Sequence, residues 1–116
     1  MSLKDRVLQR KPCSESVTIA GESFLIVGKT RRERGAIFAR CRKKDGSVDG
    51  DRLEAMLLAE CVHDPETGQP VFSVTEYRAW DDVDSGLTGP LLAEVMRVLG
   101  MDKQDIGPKG SDSTES

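Results

Sequence analysis

Apolar and polar side chains alternate in one stretch near the start of the chain, "ESVTIAGESFLIV", which spans residues 15–27. Val17 and Ile19 flank Thr18, "AGE" is typical of a turn, and "FLIV" is rich in residues that favour strands. The pattern therefore predicts a β-hairpin. Because an isolated hairpin is only marginally stable in water, we expect this one to pack against helices.

Elsewhere the apolar residues follow helical spacing, with recognisable start and stop signals. The predicted helices run over residues 2–9, from 30 to about 44, from 51 to about 62, from 73 to about 83 and from 88 to 99. Thr30 and Ser73 each stand three residues before a glutamate, as in a capping box. The other start and stop signals are Pro12, Asp51, Thr88, Pro90 (in the first turn of the last helix) and Gly100.

These elements predict an α+β fold that is mainly α-helical, with the N-terminal β-hairpin packed on about four short helices. Residues 1–106 suit a single domain, and "DKQDI" after Met101 adds at most one more helical turn. The last ten residues, "GPKGSDSTES" (107–116), hold no large apolar side chain. They predict a disordered polar tail.

Two predicted helices carry most of the apolar side chains. Between residues 52 and 62 only Arg52, Glu54 and Glu60 interrupt an apolar surface that extends almost all round the helix. Such a helix is either buried or waiting for a partner, and burial is favoured because aliphatic side chains are mostly inside. In the last helix the apolar residues cover one arc, which is typical of packing on one neighbour.

The composition sets the scale of the core and narrows the function classes. The chain has 116 residues, 37% of them hydrophobic and only 4% aromatic, so we expect a modest aliphatic core. Seventeen basic and twenty acidic residues give a net charge of −3, which does not indicate a nucleic-acid binder. No apolar run has the length of a signal peptide or a membrane span, so the expected address is the cytoplasm, with no membrane partner.

The three cysteines, Cys13, Cys41 and Cys61, are widely and irregularly spaced. Their odd number and the lack of a C-x-x-C unit argue against a disulfide framework and a zinc site, and favour a reducing compartment. Arg40 and Arg42 beside Cys41 favour a reactive thiolate. Its place on a narrow apolar face favours a small core residue, and this second interpretation is preferred.

The only histidine, His63, begins "HDPETGQPVF" (63–72) and lies next to Asp64 and close to Glu66. A general base needs an imidazole that a partner holds and that faces a substrate. Here the stretch follows a predicted helix end, Asp-Pro leaves helical geometry, and "ETGQP" is dense in turn formers. A structural turn is therefore the favoured interpretation, and an enzyme that uses His63 is the least favoured function.

The segment "KTRRERGAIFARCRKK" (29–44) contains eight basic residues and one acid. This charge run makes a small nucleic-acid-associated regulator the alternative function. On a helical wheel, however, the basic residues surround the axis, and Phe38 is the only aromatic, so no stacking platform for bases is expected. Nucleic acid is therefore a disfavoured partner, and an acidic protein is preferred.

The order of these pieces resembles that of the tail assembly chaperones of long-tailed bacteriophages and prophages. A short helix, "SLKDRVLQRK", precedes the strand pair "VTIAGESFLIV", and the matching pieces extend from residue 2 to about 106. The pieces that follow are "KTRRERGAIFARC", "LEAMLLAECV", "DPETGQPVF", "SVTEYRAW" and "LTGPLLAEVMRVLGM" with an acidic "DKQDI" end. The most telling is "DPETGQPVF", because these proteins commonly carry a D-x-x-x-G-x-P-x-F-like structural link after the apolar helix.

The resemblance implies a protein without catalytic residues, metal or cofactor. Tail assembly chaperones bind the tape measure protein, a very long, largely helical polypeptide that fixes tail length. They keep it soluble in the bacterial host cell, promote assembly of the tail tube around it, and are absent from the finished virion. In many of these phages a ribosomal frameshift gives a longer product that recruits the tail tube protein, so such a product is the expected link to that second partner.

We expect the client to bind the exposed part of the apolar helix at residues 53–62 and the face around Leu92 and Met96. Methionine suits an adaptable surface, and the charges of residues 29–44 can set orientation or self-association. Contacts that are weak one by one hold a long client when several copies act together. The residues of this expected partner-binding site are Met56, Leu57, Leu58, Leu92, Met96 and Arg34.

Overall fold

A computed structural model describes residues 1–101 and has the predicted α+β architecture. The elements are α1 (Leu3–Gln9), β1 (Ser14–Ile19), β2 (Glu22–Val27), α2 (Arg31–Arg40), α3 (Gly50–Cys61), β3 (Val62–His63), a 3₁₀ helix (Val74–Asp82) and α4 (Ser85–Leu99). The "DKQDI" turn and the polar tail of residues 107–116 lie outside the described residues.

The predicted hairpin is confirmed and belongs to an antiparallel sheet with the strand order β1-β2-β3. Its two-residue turn has positive φ at both Ala20 (53°) and Gly21 (81°), as a type I′ turn requires. The third strand was not predicted. It forms because Val62, expected to be the end of the preceding helix, is extended and pairs with Ile26.

The hydrophobic core lies between one face of the sheet and the helices α3 and α4. Phe24 and Ile26 share this face of β2, and Val17 and Ile19 lie half-buried on the same face of β1. The 3₁₀ helix covers α3 from another side. The fully buried larger side chains are Ile26, Ile37, Cys41, Leu53, Leu57, Cys61, Val62, Leu91 and Val95.

α2 begins where the sequence predicts but ends earlier. Thr30 and Glu33 form the expected reciprocal capping box. The helix was expected to reach about Lys44, and this was wrong, because it stops at Arg40. The amide of Lys43 instead donates to the carbonyl of Ser47 across a tight turn (2.7 Å), so Lys43 and Lys44 lie in a loop and not in the helix.

The 3₁₀ helix replaces the α-helix predicted after Ser73. Ser73 occupies the cap position, but its side chain bonds the Glu76 and Thr75 side chains, and no side-chain cap bond to the backbone forms. The apolar residues of this region recur at every third position, which matches the three residues per turn of a 3₁₀ helix. The residues with this spacing are Val74, Tyr77 and Trp80, followed by Val83 at the C-cap, and the backbone kinks at Glu76, whose φ and ψ (−106° and 23°) are not helical.

α4 ends as predicted and begins one turn earlier. Gly100 adopts the left-handed conformation (φ 71°) that closes many helices. The expected cap, Thr88, lies inside the helix, because the Asp84 side chain accepts from the Gly86 amide and caps α4 first. Pro90 is consequently in the second turn instead of the first, where its missing N–H removes one helical hydrogen bond.

Candidate functional site

The expected binding residues of α3 form the centre of the core. Met56, Leu57 and Leu58 retain 6%, 0% and 4% of their surface exposure. They contact the sheet, α4 and the 3₁₀ helix through the α3 surface, which is apolar nearly all round. The interpretation of α3 as a core helix is therefore confirmed, and the expectation that part of it stays exposed was wrong.

Of the other expected residues, Leu92 and Arg34 are half-buried, whereas Met96 is buried, so its expected exposure was wrong. Met96 is 9% exposed, whereas Leu92, one turn earlier on α4, is half-buried. Leu99, one turn later, is half-buried as well, so these three residues form a stripe along α4. Arg34 is half-buried on α2, with its guanidinium carbon 5.9 Å from the centroid of the Phe38 ring, and the structure does not bring it together with that stripe in one site.

His63 closes the connector that follows α3. Its Nε2 lies 3.2 Å from the carbonyl oxygen of Glu60, and its Nδ1 lies 3.1 Å from that of Gly68. Both partners are backbone carbonyls, which accept a hydrogen bond from whichever ring nitrogen carries a proton. The amide of Asp64 donates to Gln69 and the amide of Gly68 donates to Asp64, which completes the turn. This is the structural role favoured for the stretch.

Part of the basic segment 29–44 is used within the fold. Lys29 Nζ lies 3.3 Å from one carboxylate oxygen of Glu60, and Arg40 donates to the other oxygen at 2.6 Å. Lys29 and Glu60 each keep only 15% side-chain exposure. These pairs fasten α2 to the end of α3. Ile37 is the only buried residue of α2, in line with the narrow apolar face predicted for it.

The two buried cysteines are held in the neutral thiol form. Desolvation by burial raises the pKa of Cys41 despite the opposing charges of Arg52 and Arg40. Burial raises the pKa of Cys61 to about 12. Cys13 is exposed. The core interpretation of Cys41 is therefore confirmed, because a reactive thiol needs a lowered pKa and access.

Within residues 1–101 the most exposed apolar surface lies on α1, for which the sequence predicted a helix but no binding role. Leu3, Val7 and Leu8 are 67%, 58% and 71% exposed, and no residue of the helix is buried. The spacing of these three residues is typical of one helical face, so the sequence carries a signal for this surface. The spacing does not indicate whether another element covers that face.

An acidic cleft of about 520 Å³ opens beside the hairpin turn. Residues 21–24 line one side, and residues 64–67 with Pro70 and Val71 line the other. The charged lining side chains are Glu22, Asp64 and Glu66, with no lysine or arginine among the residues that form it. The cleft therefore attracts a cationic, partly apolar group.

Within residues 1–101, no three histidine, cysteine or acidic side chains are grouped so as to hold a metal ion. None of the described helices has the length and apolar character needed to cross a membrane. Compared with protein-family models, curated proteins and solved structures, the chain matches none.

Proposed function

We propose that the protein is a tail assembly chaperone that binds a tape measure protein, keeps it soluble and promotes assembly of the tail tube around it. The proposal rests on the resemblance of residues 2–106 to that family. A helical client presents long apolar stripes, and it needs a chaperone surface that is apolar without being large enough to drive aggregation.

The client face of this proposal lies on α4. α3 is excluded from it, since Met56, Leu57 and Leu58 are enclosed by the fold. The observation that carries the proposal is the stripe along α4 in which Leu92 and Leu99 stay half-buried on either side of the buried Met96. Residues spaced in this way fit the apolar stripe of a second helix.

A single stripe of this size gives weak binding. A tape measure protein repeats its apolar stripes along a great length, so many chaperone copies bind side by side. Binding of the whole array then gains from effective concentration, although each contact is weak. This is why a modest face on a small domain suits the proposed role.

The test is co-expression with the tape measure protein expected from the neighbouring open reading frame, followed by pull-down through a tag on this chain. We expect the large protein to be soluble and captured with the parent chain, and insoluble when expressed alone. Leu92→Glu should abolish capture. Ala93→Glu, one residue along and exposed, is the matched control and should retain it.

Unchanged circular dichroism of both variants ensures that the comparison concerns binding and not folding. A tape measure protein that is soluble alone and ignores this chain would disprove the chaperone proposal. Capture that survives Leu92→Glu would leave the function in place and exclude the α4 face.

A further inference from the structure

β1 offers an open hydrogen-bonding edge. The amide of Gly28 donates to the carbonyl of Cys13, which fixes the alternation of the ladder between β1 and β2. Cys13, Glu15, Val17 and Ile19 therefore bond inward to β2. The intervening residues, Ser14, Ser16 and Thr18, direct their amides and carbonyls to the outer edge, and no backbone group within residues 1–101 outside β2 pairs with them.

This edge lacks the usual protection against another strand. Exposed edges are normally blunted by lysine, proline or a bulge, and none of these occurs between Ser14 and Ile19. The side chains beside the open groups are small hydroxyls, which allow close approach. The one charge, Glu15, is already held by Arg97 of α4 through bonds of 2.8 and 3.3 Å.

α1 precedes the β1 edge in the chain and is not stabilised by packing within its own fold. Among the described residues 1–101, no other element packs extensively on it and none covers its apolar face. The capping box of Ser2 and Asp5 favours the helix, but a helix of seven residues is unstable alone in water. Burial of Leu3, Val7 and Leu8 against a protein surface would supply the missing stabilisation.

The acidic cleft has the character that α1 requires. Residues 1–11 contain four basic side chains (Lys4, Arg6, Arg10 and Lys11) and one acid, whereas the cleft has only acidic charges beside Pro65, Pro70 and Val71. Within one copy the two features lie at opposite ends of β1. Six residues of strand separate them by roughly 20 Å, and no residue of α1 lines the cleft of its own chain.

We infer that two copies of this chain associate about a two-fold axis, with their β1 edges paired antiparallel and α1 of each copy in the acidic cleft of the other. When Ser16 lies opposite Ser16 of the second copy, Ser14 pairs with Thr18. In this register the outward-facing backbone amides and carbonyls of both β1 strands form hydrogen bonds with each other. This antiparallel register brings the start of each β1 to the hairpin turn of the other copy, where the cleft opens. The contact is isologous and therefore closed.

The first experiment measures mass by sedimentation of the full chain over a range of concentrations. We expect a monomer–dimer equilibrium. Ser16→Pro removes an outward N–H and leaves the inward ladder intact, so it should weaken the dimer by roughly tenfold or more. Ser16→Thr keeps the N–H and is the matched control, which should dimerise like the parent.

The second experiment tests the charge pairing. The double variant Lys4→Glu and Arg6→Glu reverses the charge of α1 and should abolish dimerisation. The double variant Glu22→Lys and Glu66→Lys, made in a separate chain, reverses the charge of the cleft and should have the same effect. An equimolar mixture of the two reversed chains should restore association at both arm–cleft contacts, because the acidic arm of one chain meets the basic cleft of the other while the unchanged basic arm meets the unchanged acidic cleft. This rescue distinguishes a lost contact from a lost fold.

A parent chain that remains monomeric at its highest soluble concentration would overturn the inference. A dimer that tolerates Ser16→Pro and both charge reversals would overturn it as well, since the interface would then lie elsewhere. Neither result depends on the tape measure protein, so the chaperone proposal stands or fails separately.

Discussion

α3 and α1 are both helices with apolar side chains, yet the fold treats them in opposite ways. The more apolar helix, α3, buries Leu53, Leu57 and Cys61 completely. In α1, Leu3 and Leu8 keep about two-thirds or more of their surface (67% and 71%). Apolar density in the sequence thus predicts the core, whereas the accessible apolar surface lies on the helix with fewer apolar residues.

The difference has a physical cause. A side chain is buried only when another element covers the side of the helix on which it lies. α3 lies between the sheet, α4 and the 3₁₀ helix, so nearly all of its sides are covered. α1 comes before the hairpin, and no other element in the described part of the chain packs extensively against it. Availability for binding depends on this placement and cannot be inferred from the apolar pattern of one helix.

The largest expected effect comes from a cavity in α3. Leu57→Ala removes a fully buried side chain and should lower the free energy of unfolding by about 2–5 kcal/mol. Leu8→Ala in α1 is the matched change at an exposed position and should stay within about 0.5 kcal/mol. Urea denaturation at low protein concentration measures both, and a similar loss for the two variants would contradict the contrast between the helices.

The thiols give a second measure of the same contrast. Cys13, beside α1, should react rapidly with a thiol reagent in the folded protein, whereas Cys41 and Cys61 should react only on unfolding.

Because the folded pKa of Cys61 is raised from 9.0 to about 12, its contribution to stability is fully present below 9.0. That contribution is lost as the pH rises towards 12, by at most about 1.4 kcal/mol per pH unit.

The pH effect is measured by urea unfolding at neutral pH and about one unit above the ordinary thiol pKa. Cys61→Ala should lose less stability over this interval than the parent chain, and Cys13→Ala should behave as the parent does. Equal losses in all three proteins would show that the buried thiol has no part in the alkaline destabilisation.

The two sequence-predicted capping boxes provide the smallest effect. Thr30→Ala breaks a formed box at the start of α2 and should cost about 1 kcal/mol. Ser73→Ala removes a hydroxyl that makes no cap bond to the backbone, so less than about 0.5 kcal/mol is expected. Chemical denaturation compares the pair, and an equal cost would mean that Ser73 caps its helix in solution.

Local signals predicted most of the fold. The alternation around Thr18, the Thr30 box and the glycine at position 100 each have a cause within a few residues, and each prediction is confirmed. The predictions that failed concern positions where two local signals compete or where a strand distant in sequence determines the structure. Asp84 caps α4 before Thr88 can, and the pairing of Val62 with Ile26 depends on a strand far away in sequence.

The 3₁₀ helix could not be distinguished from an α-helix by its spacing, because Val74, Tyr77 and Trp80 also fall within one apolar arc of an α-helix. The candidate site was harder to predict. Met56 and Leu57 are apolar whether they meet a partner or the core, so composition cannot distinguish the two cases. The cleft was beyond prediction, because Glu22 and Glu66 meet there only through the folded sheet and connector.

Trp80, the single tryptophan, gives the molecule an internal optical reporter. It is 4% exposed, and its ring lies edge-on to Phe72 at 5.0 Å, where the 3₁₀ helix covers α3. Its fluorescence should therefore be blue-shifted and should move to longer wavelength when that contact opens. Association of two copies through α1 and the β1 edge does not change the surroundings of the indole. An emission maximum that stays constant during dimer formation therefore indicates that each copy associates without opening its core.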